Sequence, residues 1–417
     1  MPSGRREGPA VIDGPTPGHA MSPAGVIAAV EQVMAALLRA SSPIPPDYVG
    51  RLFFEQCRRA GLTEGAIFLV DCEQKVLVPI APRDELGTRD IDTTLAGRAF
   101  QLDHPFVTEN EDLPIGLWLP LLDGAERLGA VLLGVPDASP EVLDACQRLV
   151  AVVAELVVSK SQYGDALVLP RRRQPMSLAA ELRWSLLPPL NFTCPHASLA
   201  CILEPVYDVA GDAFDYAVSS DCLQVALFDA MGHGLEASRL ANLAISAYRH
   251  ARRQHYELGE TYGYVDEMVR QVFGEDRFVT GQLAELDQNT GRVRWINAGH
   301  PPPLLVRDGK VSLALRAEPS LPFGIGGLTL PVAEHSLQPG DRVLFYTDGV
   351  VEARPSGGEP FGVERLVELT RRAMADHHTL AETARRLARS VVDHRQGTLE
   401  DDATIMLLAW HPERDAS

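Results

Sequence analysis

The chain has 417 residues, 46% of them hydrophobic, with 38 Lys and Arg against 56 Asp and Glu for a formal net charge of −18. Length and apolar content are enough for two or three domains, each with its own core. The acidic balance, with no basic block beyond Arg171–Arg173, disfavours a nucleic-acid partner. None of the six cysteines forms a C-x-x-C pair, which argues against structural zinc or a thioredoxin-like motif and fits a reducing cytoplasm.

In chain order, residues 1–21 are rich in Pro and Gly and lack the apolar core of a secretion signal, so they read as a disordered tail. From Ser22 to Ala40, Val26, Ile27, Val30, Val33, Met34, Leu37 and Leu38 recur at three and four, predicting an amphipathic helix. A second helix is expected over 47–60. The runs GAIFLVD, KVLVPI, GLWLPLL and LGAVLLGV then read as strands, and a helix over about 139–163 closes the block. Its apolar run RLVAVVAELVVS is too short to cross a bilayer and carries Glu155, so no membrane partner is expected. The apolar faces of the first and last helices leave two uses open: packing on their own domain, or pairing chains in a homodimer.

Residues 165–177 are polar and broken by proline, predicting a linker. Leu178, Leu182, Leu186 and Leu187 follow at helical spacing, and Pro188 and Pro189 stop that helix. Beyond it, β runs alternate with amphipathic helices. One hairpin is explicit: VTGQLAEL, the turn DQNTG, then RVRWINAG. Cys201 and Cys222 read as core residues, as does the apolar face of the helix at 235–253 with Leu240, Leu243, Ala244 and Ala247.

The chemistry lies at strand ends. VLFYTDGVVE runs apolar from Val343 and then meets Asp348; LQVALFDAMGHG ends a strand at Asp229; VAGDAFD places Asp212 in a glycine-containing turn; EDDATIMLL sets Asp401 and Asp402 before a final strand. A single Asp-Gly is an ordinary turn. Four carboxylates at four strand ends repel one another unless a hard cation neutralises them, and the small residues beside them leave carbonyls and water free to complete its coordination.

The segments LLPP (186–189), VAGDAFD (209–215), FDAMGHGLEA (228–237), FVTG (278–281), INAGHPPPLLV (296–306), LPFGI (321–325), LQPGDRVLFYTDGVVEA (337–353), FGVERL (361–366) and DDAT (401–404) together resemble the PPM (type 2C) metal-dependent serine/threonine protein phosphatases, in their bacterial SpoIIE/RsbU branch. The resemblance implies an α+β chain whose domain at 178–412 is an α-β-β-α sandwich. It also implies two Mn2+ or Mg2+ ions, with Asp229 bridging them, Asp212 and the Ala230 carbonyl on one ion, and Asp348 and Asp401 on the other. A water held by the pair would attack phosphorus directly. The implied substrate is a phosphorylated anti-sigma factor antagonist of the STAS type. The element order of residues 22–164 resembles the GAF sensory fold, which implies regulation from the N-terminal side.

Two positions depart from the family pattern: Ala210 stands for a glycine, and Arg183 stands where glutamine often precedes LLP. His233 and His300 remain open as general acids or as local hydrogen-bonding residues, and Asp215 and Asp402 as supports of the carboxylates or plain loop residues. Two other readings stay open: a non-catalytic sensor with a phosphatase-shaped binding domain, and a phosphatase of non-protein phosphoesters.

Overall fold

The computed structural model describes residues 21–80, 86–108, 115–208, 211–327, 332–375, 378–395 and 401–411. Ala210 and residues 1–20 of the expected N-terminal tail lie outside these residues.

The N-terminal unit is built from helices α1 (Pro23–Ala40) and α2 (Val49–Arg59), strands β1 (Gly65–Val70), β2 (Val76–Pro79) and β3 (Arg89–Asp90), helix α3 (Leu95–Leu102), strands β4 (Phe106–Thr108), β5 (Ile115–Asp123) and β6 (Glu126–Val135), and helix α4 (Pro140–Ser161). The six strands form one antiparallel sheet in the order β3-β2-β1-β6-β5-β4. The four expected strand runs and three expected helices are present. The short β3, α3 and β4 are additions, because two- and three-residue strands carry no readable period.

Alternating side chains divide the sheet between two cores. Ile67, Leu69, Leu117, Leu119, Val131 and Leu133 face α1, α2 and α4, while Phe68, Trp118, Ala130 and Leu132 face α3. The apolar faces of α1 (Val26, Val30, Val33, Leu37) and α4 (Leu149, Val153, Leu156) are buried in the same cluster, so both are used inside the chain. By length and composition α1 could cross a membrane, yet that face packs on its own domain.

The C-terminal unit begins with α5 (Leu178–Leu186), β7 (Asn191–Thr193), β8 (Ala197–Glu204), β9 (Asp212–Val218), β10 (Cys222–Ala230), α6 (Gly234–Arg253) and α7 (Leu258–Phe273). It continues with β11 (Val279–Asp287), β12 (Arg292–Ala298), β13 (Leu304–Arg307), β14 (Lys310–Ser312), β15 (Ala333–Ser336), β16 (Arg342–Tyr346), α8 (Asp348–Glu352), α9 (Gly362–Ala375), α10 (Leu380–Arg395) and β17 (Ala403–Trp410). The hairpin read from the sequence is β11–β12, with Gly281 opposite Ala298.

Two antiparallel sheets result, β15-β12-β11-β10-β9 and β14-β13-β16-β17-β8-β7. Their inner faces meet through Leu199, Phe214, Leu227, Trp295, Phe345 and Met406. The outer face of the first carries α6 and α7 through residues such as Phe228, Ala244, Val265 and Phe323; the outer face of the second carries α9 and α10 through Leu344, Leu366, Leu387 and Ile405. This is the expected α-β-β-α sandwich. It matters for the site because both sheets end their central strands at the same edge.

Three local expectations differ. The buried side of α5 is Ala179, Ala180 and Arg183, whereas Leu178 is 64% exposed; the leucine stripe is not the packed face, because Arg183 finds buried partners there. Cys201 is buried but Cys222, the first residue of a strand, is only half-buried. Residues 165–177 are no free tether. They form 3-10 turns at Asp165–Leu167 and Leu169–Arg171, bury Leu167, and join the first sheet through Cys72 N–H donating to the Arg171 carbonyl (2.9 Å) and Arg171 Nε donating to the Val70 carbonyl (2.8 Å).

The two units are clamped by buried charge. Arg127 of β6 donates from Nη1 to Glu382 Oε2 of α10 (3.3 Å) and from Nη2 to Gln74 Oε1 (3.1 Å), with its guanidinium 4.4 Å from the centre of the Phe100 ring. Arg385 donates to Glu382 (2.8 Å) and reaches back to Asp92 (2.6 Å) and the Gln74 carbonyl (3.2 Å). Arg127, Glu382 and Arg385 are at most 3% exposed. Burial alone would raise the Glu382 carboxyl, but Arg385 and then Arg127 outweigh it and hold it below the usual range.

Removing one partner of such a network strands the others in a low dielectric. Glu382→Gln should therefore lower unfolding stability by about 3–5 kcal/mol in urea titrations. A loss below about 1 kcal/mol, the range of exposed pairs, would show that the cluster is solvated.

Candidate metal centre

Strand pairing sets the first two carboxylates side by side. Asp212 opens β9, Asp229 is the penultimate residue of β10, and the antiparallel register makes them direct partners. From the second sheet, β16 ends at Tyr346 and hands the chain through Thr347 to Asp348, the first residue of α8; Asp401 and Asp402 precede β17, the neighbour of β16. The sandwich thus brings together all four strand-end aspartates named from the sequence, plus Asp402.

Two close approaches need glycine. A Cβ at Gly349 would lie 1.9 Å from the Asp402 carbonyl oxygen, and one at Gly211 would lie 2.8 Å from the Ala230 carbonyl oxygen. The Ala230 N–H donates to the Gly211 carbonyl (3.1 Å), tying the two turns together.

The carboxylates differ in how they are held. Asp212, 1% exposed, accepts at Oδ2 from the hydroxyls of Thr347 (2.7 Å) and Thr404 (2.6 Å), while Thr404 N–H donates to Thr347 Oγ1 (2.9 Å). Burial, then Asp229 and Asp402, push its carboxyl well above the ordinary range. Asp229 is pushed up to about 8 by burial, then by Asp348, Asp401 and Asp402, and it shares a hydrogen bond with Asp348. Asp348 is raised by burial, Asp401 and Glu352. Asp401 is exposed at the mouth of the cluster.

Asp402 is already matched. It accepts from Arg183 Nη1 (2.7 Å), from Asp212 N–H (3.0 Å) and from Gly211 N–H. Arg183 is 2% exposed and also donates to the Pro205 carbonyl (2.6 Å), so α5 is wired to the floor of the cluster.

Among the described residues, no group of three or more His, Cys, Asp or Glu side chains is placed to hold a metal ion as it stands. The donor set fits a hard divalent cation all the same. It is all oxygen, and its like charges crowd, so burial and then the neighbouring carboxylates raise Asp229 and Asp348, a repulsion that a cation would relieve. Asp402, neutralised by Arg183, is the member least suited to bind one.

The histidines separate clearly. His300 is 5% exposed, pairs through Nδ1 with Thr280 Oγ1 (2.8 Å) and is pulled down to about 3 by burial, so it stays neutral and pins the loop that follows β12. His233 is exposed at the start of α6 and makes no side-chain cap. Asp215 pairs with Arg249 (2.7 Å) and Arg252 (3.0 Å) of α6, a scaffold contact away from the cluster. The supports not read from sequence are Thr347, Thr404 and Arg183. Both threonines sit inside strand-like runs, where nothing local marks them.

Residues 219–411 match the family model Stage II sporulation protein E (SpoIIE). The match lies within the C-terminal unit, whose α-β-β-α sandwich is the PP2C-type phosphatase fold. The chain is similar to phosphoserine phosphatase RsbP of Bacillus subtilis, 25% identical over 155 residues covering 36% of this chain and 38% of the relative. It is also similar to phosphoserine phosphatase RsbU of the same organism, 21% identical over 221 residues covering 50% and 62%. The chain therefore spans 38% and 62% of the lengths of these two relatives. Among solved structures, the RsbU and RsbW domains of Rv1364c from Mycobacterium tuberculosis align over 53% of this chain and 61% of that one, with 29% identity and a TM-score of 0.45.

The crowding has a pH signature. In the metal-free protein Asp229 holds its proton up to about pH 8, whereas an unfolded aspartate releases it near pH 4. The folded state binds more protons across that window, so Asp229 makes stability fall as pH rises from about 4 to 8. In EDTA, the thermal midpoint of wild type should drop more steeply over this range than that of Asp229→Asn. Equal slopes would show that Asp229 is not crowded.

Proposed function

We propose that this chain is a metal-dependent protein serine/threonine phosphatase acting on a small phosphorylated regulatory protein. The observation that carries the reading is the convergence of Asp212, Asp229, Asp348 and Asp401 from two sheets onto one edge, with hydroxyls and an arginine arranged behind them. In this reading Asp212 and the Ala230 carbonyl would hold one divalent ion, Asp348 and Asp401 a second, and Asp229 would contribute to both.

When bound, two Mn2+ or Mg2+ ions supply the positive charge that offsets the phosphoryl oxygens and makes water acidic enough to attack at neutral pH. The chain's own part is position. Thr347 and Thr404 fix the rotation of Asp212 by donating to one oxygen, which leaves the other available. Arg183 takes up the charge of Asp402, and Asp402 in turn holds the N–H groups of Gly211 and Asp212, so the first turn keeps its shape.

The substrate is proposed to be a phosphorylated STAS-type anti-sigma factor antagonist, on the strength of the resemblance of the chain's motifs to the SpoIIE/RsbU branch of the PPM phosphatases. The N-terminal unit, GAF-like in its order of elements, is proposed to regulate. Supporting this, it grips α10, which packs on β8 and β17, and β17 follows Asp402 directly.

The test is Mn2+-dependent release of phosphate from p-nitrophenyl phosphate and a phosphoserine protein. Asp229→Asn should fall to background with the fold intact. Thr347→Val, isosteric and remote from solvent, should shift the Mn2+ activation midpoint about 10- to 100-fold upward. Undiminished turnover in Asp229→Asn would refute the assignment.

A further inference from the structure

Beside the carboxylate cluster lies a cavity of about 470 Å3 lined by Gly349, Glu352, Arg354, Ser356, Arg395 and Asp401 among others. It shares Asp401 and Gly349 with the cluster, and Thr347 and Thr404, which hold Asp212, are not among its lining residues. Its wall is a loop with fixed feet. Ala353 and Phe361 are buried, Phe361 N–H donates to the Ala353 carbonyl (2.8 Å), and the tip turns through Gly358 N–H to the Pro355 carbonyl (2.8 Å). Such a loop presents side chains on a rigid base.

Arg354 is exposed on this loop and lines the cavity, yet among the described residues it makes no hydrogen bond or ion pair, although Glu352 lines the same space. Most other arginines near acidic groups in this chain are engaged: Arg183, Arg249, Arg252, Arg307 and Arg385 all hold carboxylates. An unengaged guanidinium at the rim of a carboxylate cluster has an evident complement. A phosphoryl dianion approaching that cluster is repelled by its aspartates, and a guanidinium offers two parallel donors to its outward oxygens.

We propose that Arg354 and the 353–361 loop form the phosphoryl-binding subsite, with Arg354 contacting the substrate phosphate from the solvent side. This rests on the phosphatase reading given above. It adds the residue that recognises the group being removed and the cavity that receives the residues flanking it. The cavity is large enough for a phosphoseryl side chain with its neighbouring backbone. Inorganic phosphate, the product, shares the same contact and should inhibit by occupying it.

The experiment titrates inorganic phosphate into the full-length Mn2+-loaded protein by calorimetry, for wild type, Arg354→Ala and Arg354→Lys, with phosphoserine-peptide turnover measured in parallel. Loss of a charge-assisted pair should weaken phosphate binding roughly 10- to 100-fold in Arg354→Ala, with Arg354→Lys between. KM should rise by a similar factor while Mn2+ affinity is unchanged. Equal phosphate affinity in wild type and Arg354→Ala, or a loss of Mn2+ affinity that accounts for the weaker binding, overturns the subsite even where turnover persists. Arg354-dependent phosphate binding without turnover keeps the subsite and overturns the hydrolytic reading. Neither binding nor turnover in wild type overturns both.

Discussion

Repulsion among buried carboxylates is the constraint around which the C-terminal domain is organised. Asp212 and Asp229 are register partners on adjacent strands, and Asp348 and Asp401 come to the same edge from the facing sheet. Burial and mutual charge drive Asp212, Asp229 and Asp348 upward, so the native fold without a cation carries an electrostatic cost. A fold keeps such a cost where the cluster has work to do. The sandwich core supplies the rigidity that holds the charges together, since strands fixed by Phe214, Leu227, Phe345 and Met406 cannot splay to relieve them.

The same physics, solved differently, recurs elsewhere in the chain. Asp402 is neutralised by Arg183, Asp215 by Arg249 and Arg252, and Glu382 by Arg127, Arg385 and Arg386. These pairings anchor α5, anchor α6 and join the two domains, in that order. Among the described residues, Asp212, Asp229 and Asp348 at the sheet edge have no comparable arginine. That contrast separates scaffold charges from functional ones. It also explains why Arg183 matters, because it keeps Asp402 from adding a fifth free charge while tying the first helix of the domain to the turn at Gly211.

Much of this was legible in the sequence. The four aspartates announced themselves by interrupting or closing apolar runs, and the α-β-β-α layering was what the family resemblance implied. What stayed hidden has physical causes. Helix α5 looked leucine-faced, but its buried side is two alanines and Arg183, because a long-range ion pair outweighs local hydrophobic period. Thr347 and Thr404 read as ordinary β-branched strand residues, since their hydroxyl partners lie far away in sequence. The interdomain clamp was invisible because Arg127 and Glu382 are 255 positions apart. His300 stood open as a general acid or a local hydrogen-bonding residue, and its burial and its contact with Thr280 favour the second.

The most direct test of the central claim is anomalous diffraction from crystals of the full-length protein grown with Mn2+. The account predicts two manganese peaks at the sheet edge, with Asp229 touching both, Asp212 and the Ala230 carbonyl on one side, and Asp348 and Asp401 on the other. A cluster that binds no manganese at saturating concentration, or ions held by Asp402 and away from Asp229, would contradict it.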